Sequence, residues 1–99
     1  MIMSKRSDNA RREVLSRIVT RHINAWDPFG LFAIGCPDNE YDLEIVQIVN
    51  QIERFSSGEA LSRLIAQVFR SMFSDARFTP EYCADVAEAI MADARDQMR

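Results

Sequence analysis

Apolar residues along the chain fall into four runs with a period near 3.6, the spacing of one helix face. In the first, from about Asp8 to Trp26, Val14, Leu15, Ile18, Val19, His22, Ile23 and Trp26 recur at three- and four-residue steps. Glu13, Arg17, Thr20, Arg21 and Asn24 fall opposite, and Ser7 or Asp8 suits the N-cap. The second run, from about Leu43 to Phe55, carries Ile45, Val46, Ile48, Val49, Ile52 and Phe55. Its β-branched residues would also suit a strand. The polar positions Gln47, Asn50, Gln51, Glu53 and Arg54 do not alternate, however, and so select a helix, with Asp42 as its N-cap and Glu44 in its first turn. A third helix is predicted from about Ser57 to Phe73, opened by a capping box of Ser56 and Glu59. Leu61, Leu64, Ile65, Val68, Phe69, Met72 and Phe73 make its stripe. The fourth is predicted from about Pro80 to Met98, with Thr79 as cap and Pro80 in the first turn, where a missing N–H costs nothing. Its buried face is Tyr82, Cys83, Val86, Ala87, Ile90, Met91, Ala94 and Met98.

The last three helices are joined by short links, which favours antiparallel neighbours in a bundle. The link from Asp27 to Tyr41 is different. It is long for a compact domain and holds Phe29, Leu31, Phe32 and Ile34. A solvated linker would not carry those residues. Asp27-Pro28 reads as a new helix start and Gly35 as a stop, so a short turn is expected over 28–34. The fold class that follows is all-α: a four-helix bundle with a short extra helical turn between helices 1 and 2.

Composition agrees with one folded domain over residues 1–99, with 1–7 as a flexible basic N-terminal arm. Apolar residues at 47% and charged residues at 27% are globular proportions, not those of a disordered chain. No apolar stretch approaches the roughly 20 residues of a membrane span, and no apolar region follows the charged N-terminus as in a signal peptide. The expected location is the cytoplasm. Cys36 and Cys83 have no metal-ligand spacing and are read there as free thiols.

Charge is divided unevenly. Residues 1–25 hold six basic and two acidic residues, a balance of +4, and the remainder holds six against thirteen, a balance of −7. The acids Asp38, Glu40, Asp42 and Glu44 alternate, but an EF-hand loop counted from Asp38 would need Gly and Glu where Leu43 and Val49 stand. Helix capping explains these acids without a metal, and no cofactor is implied. His22 is the single histidine, has no partner placed for it, and reads as a satisfied, partly buried side chain. No phosphate loop, nucleophile elbow or zinc-protease motif occurs, so no enzyme is expected.

Two interface candidates remain. Trp26, Asp27 and Tyr41 either anchor the long loop, with Asp27 capping its turn, or expose part of an aromatic pair to a partner. Glu81, Asp85, Glu88 and Asp96, with Asp93 at their edge, form either a solvated face or a docking surface for a basic partner. Lys5 to Arg21 form no single stripe, and the acidic remainder opposes phosphate, which disfavours nucleic acid.

The segment Trp26-Asp27-Pro28, Gly30-Leu31, Cys36-Pro37-Asp38-Asn39-Glu40-Tyr41-Asp42, Glu44-Ile45 resembles the YugE-like family of small bacterial proteins, domain of unknown function number 1871. Asn39 stands where that pattern commonly has an acid, and the basic N-terminal extension is longer than usual. The resemblance covers about residues 14–92 and implies a compact helical bundle. It implies no activity. The expected function is therefore a protein-interaction module whose site residues are Trp26, Asp27, Tyr41, Asp42, Asp85 and Glu88. An immunity-type protein neutralising a basic partner is its concrete form, by analogy of size and charge. The alternative is a nucleic-acid accessory protein using the basic first helix, and exposed apolar loop residues would also permit a homo-oligomer.

Overall fold

The computed structural model describes residues 2–31, 34–35, 40–52 and 57–97, with side chains from Ala10 onward in the first helix and to Gln51 in the second. The described residues form four helices: α1 (Ile2–Trp26), α2 (Asp42–Ile52), α3 (Gly58–Phe73) and α4 (Ala84–Gln97). Among the described residues, α1 packs on α2 and α4, and α3 packs on α2 and α4. Neither diagonal pair meets. The result is a ring of four helices around one core, the all-α bundle that the periodicity predicts.

Each stripe turns inward. Ile18, Val19 and Ile23 of α1, Ile45 and Ile48 of α2, Leu61 and Ile65 of α3, and Ala87 and Ile90 of α4 are buried together. The stripes are narrower than predicted. Val46, Met72, Phe73 and Tyr82 are exposed, because the helices cover only part of each apolar arc.

The helix ends correct several expectations. Helix α1 begins at Ile2, so the backbone of residues 2–7 is helical and neither Ser7 nor Asp8 caps it. Asp42 is the first residue of α2 rather than its cap, and the Tyr41 carbonyl accepts the first helical bond from the Ile45 N–H at 3.0 Å. Ser57, not Ser56, caps α3: its hydroxyl accepts from the Ala60 N–H at 3.2 Å. Glu59 turns outward to Arg63 at 2.7 Å instead of closing a capping box. Helix α4 proper starts at Ala84, after a turn over 80–83. Thr79 still caps that turn, its hydroxyl accepting from the Tyr82 N–H at 3.1 Å and its carbonyl from Cys83.

Between α1 and α2 the described residues make successive turns rather than a helix. Gly30 N–H donates to the Asp27 carbonyl at 2.9 Å and Ile34 N–H to Gly30 at 3.3 Å. Gly30 has φ +66 and Gly35 φ +87, left-handed values that a Cβ would strain. Phe32, Cys36 and Asp38 lie outside the described residues.

Candidate functional site

Asp27 ends α1. Its N–H completes the helix by donating to Ile23 at 2.9 Å, and its φ of 43 turns the chain through the left-handed region, which Asp tolerates better than most residues. The side chain then serves the next segment. Oδ1 accepts from the Leu31 N–H at 2.8 Å and from the Tyr41 hydroxyl at 2.7 Å. The Tyr41 oxygen in turn accepts from the Phe29 N–H at 3.2 Å. One carboxylate and one phenol thus tie both ends of the long link to the end of α1.

Tyr41 is completely buried. Burial first, and the bond to Asp27 second, push its phenol up to about 12. Trp26 is half-buried, edge-on to Phe69 at 5.4 Å and Phe78 at 6.0 Å. Phe78 stacks on Phe69 at 5.2 Å, and the Arg77 guanidinium lies 5.1 Å over Phe29, closing the cluster against solvent. Trp26, Asp27 and Tyr41 therefore sit together as the joint holding the link to the bundle. Of the two roles the residues allow, this geometry supplies the anchoring one.

Asp42 follows Tyr41 but points outward and is exposed. Glu44 behaves differently from a solvated first-turn acid: it is 3% exposed. Burial, and then the neighbouring Asp42 charge, raise its carboxyl above 4.5, against the pull of its own backbone N–H.

Asp85 and Glu88 lie elsewhere, on the outer side of α4. Glu81, Asp85, Glu88 and Asp96 are all exposed, and none has an ion pair among the described residues. Glu88 has one close structural contact. Its carboxylate lies over Gly58, where an added β-carbon would be 2.4 Å from Oε1. That is the N-terminal end of α3, where the helix dipole favours negative charge. Glu59, Arg63, Glu81 and Glu88 line an open crevice of about 320 Å³ between α3 and the turn before α4.

Asp93 does not belong to that exposed run. It accepts from Arg21, from His22 Nε2 at 3.0 Å and from Gln97 at 2.9 Å. This tie joins α1 to α4 and gives His22 the partner its sequence position did not suggest. The two residues are 71 apart in sequence, and no local pattern announces such a pair. Burial, and after it the Arg21 charge, hold the imidazole below its ordinary 6.5. A carboxylate only accepts, so Nε2 carries the proton.

The basic residues of α1 are partly engaged. Arg12 bonds to the Asn50 side chain, Arg17 faces Glu13 at 3.9 Å, and Arg21 is held by Asp93. Cys83 is buried, and burial pushes its thiol up to about 11 against the opposing pull of Arg70. The described residues contain no group of three or more His, Cys, Asp or Glu arranged to hold a metal ion, and no helix long and apolar enough to cross a membrane.

No curated protein and no solved structure matches the chain significantly. The family match bears out the numbered family and not the YugE name. Residues 18–95, which hold the Asp27–Tyr41 joint, the Asp93–His22 tie, the end of α1, all of α2 and α3 and most of α4, match the domain of unknown function DUF1871, and the chain belongs to that family.

Proposed function

We propose that this chain is a non-enzymatic protein-interaction module that binds a basic protein partner on the outer face of α4. Its most concrete form is an immunity-type protein that neutralises such a partner in the cytoplasm. The observation that carries the reading is the contrast along α4 and the turn that leads into it. Asp93 is neutralised by Arg21 and hydrogen-bonded by His22, whereas Glu81, Asp85 and Glu88 stay exposed with no ion pair among the described residues. Like charges left unpaired at helical spacing cost a few tenths of a kcal/mol per pair. A positively charged partner would remove that cost and be steered toward the face.

Capture on the tagged protein from a nuclease-treated host lysate supplies the partner, and the purified pair is then titrated. Asp85→Lys with Glu88→Lys removes binding, and the wild-type affinity falls as salt is raised. Because Glu88 also borders the start of α3, Glu81→Lys with Asp85→Lys gives the same loss without touching that contact. Unchanged affinity in both double variants contradicts the proposal.

A further inference from the structure

Helix α2 has a second face that the core does not use. Leu43 is 68% exposed and Val46 is 54% exposed. With Gln47 and Asn50 they occupy i, i+3, i+4 and i+7, one strip along the helix. Beside the strip runs a groove of about 220 Å³, lined by Arg12, Glu13 and Ser16 of α1 and by Val46, Val49 and Asn50 of α2.

The two ends of the strip carry opposite charge. At the N-terminal end, Glu40 and Asp42 are exposed and have no ion pair among the described residues. At the other end, Arg12 reaches across from α1 and bonds the Asn50 side chain, which fixes its guanidinium at the rim of the groove. Asp42 and Asn50 are eight residues apart, about 12 Å along a helix. Val46 stands midway.

That layout is complementary to itself. When two copies of α2 lie antiparallel with a twofold axis at Val46, Asp42 of each copy falls opposite Asn50 of the other, beside Arg12. Leu43 and Val46 then fill the apolar middle from both sides. Every contact is made twice, as an isologous interface requires. A basic or an acidic partner would match only one end of the strip. The acidic face of α4 lies across the ring, since α2 and α4 do not touch among the described residues.

We infer that the α1–α2 face is a homodimer interface, occupied by the same face of a second copy of this chain. One helix strip and its flanking groove cover less than a permanent dimer buries, so the association is weak and depends on concentration. It is independent of the proposed α4 site.

The test is sedimentation velocity on the whole chain as its concentration is raised. Wild type shifts from monomer to dimer, and Val46→Lys, which sets two cations across the axis, stays monomeric with an unchanged melting temperature. Arg12→Glu and Asp42→Arg each abolish the dimer. Mixing those two variants restores it, because every Asp42–Arg12 pairing then becomes an attractive pair again. A wild type that is monomeric throughout, a Val46→Lys dimer, or a mixture of the two charge variants that stays monomeric overturns the inference. Glu81→Lys with Asp85→Lys leaves dimerisation intact, so loss of the α4 reading and loss of this one are distinguishable.

Discussion

Asp27 shows how one residue can hold two requirements in tension. Its backbone needs the left-handed region, which favours Gly, while its carboxylate accepts two hydrogen bonds that Gly could not accept. Replacement by Ala keeps the strain and loses the bonds, at a cost of roughly 2–4 kcal/mol. Gly relieves the strain and costs about 1 kcal/mol less than Ala. Asn, which retains an acceptor and tolerates the same φ, costs least. Urea melts of the three variants check the order. Ala and Gly falling together would show that the φ of Asp27 does not matter.

Tyr41 makes the same joint visible as a pH dependence. Its phenol is raised from 10 to about 12 in the folded state, so its contribution is fully present below pH 10 and is lost as pH rises through 12. A shift of that size corresponds to about 2–3 kcal/mol. Cys83, raised from 9 to about 11, acts in the same direction and begins earlier. Tyr41→Phe is therefore less stable at pH 7 by about 1–2 kcal/mol. Between pH 10 and 12 it loses stability less steeply than wild type, as read from denaturation midpoints. Parallel curves would contradict the buried, Asp27-bound phenol.

At the scale of elements, the caps divide the structure into what local sequence shows and what it hides. Thr79 and Pro80 mark a helical start because hydroxyl acceptor and missing N–H both belong there, and the Thr79 hydroxyl is indeed bonded. Ser56 and Ser57 are chemically alike, and only the fold makes Ser57 the cap. The apolar stripe placed the end of α3 at Phe73, where it is, but the cap itself had no signal, since Ser74 adopts φ 51 and ψ 43 without being Gly. Ser74→Gly removes that strain and should stabilise by about 0.5–1 kcal/mol, or a few degrees in melting temperature for a domain this size. No rise in thermal scans would mean the Ser74 backbone carries no strain.

The stripes of all four helices were legible because burial imposes the 3.6 period. Phe78 was not, because it enters the core from a link where no period operates. The Trp26, Asp27 and Tyr41 grouping was visible as a cluster of telling residue types. Its anchoring role depended on burial and bond partners, which residue types do not encode.

At the scale of the whole molecule, scaffold and surface are separate. The aromatic joint and the Asp93 tie hold the ring of helices closed. The outer faces of α4 and α2 are what the ring presents. Sequence drew attention to the joint, as either a loop anchor or an interface, because aromatic residues stand out there. The exposed Leu43 and Val46 stayed hidden in a helix where Ile45, Ile48 and Val49 face inward.

The most direct test measures binding and stability side by side for two variants, against the basic partner that the proposed function requires. Tyr41→Phe should lower the melting temperature while the folded fraction keeps wild-type affinity. Glu81→Lys with Asp85→Lys should keep the melting temperature and lose the affinity. The reverse pattern, with affinity lost in Tyr41→Phe and kept in the charge variant, would contradict the division between joint and docking face.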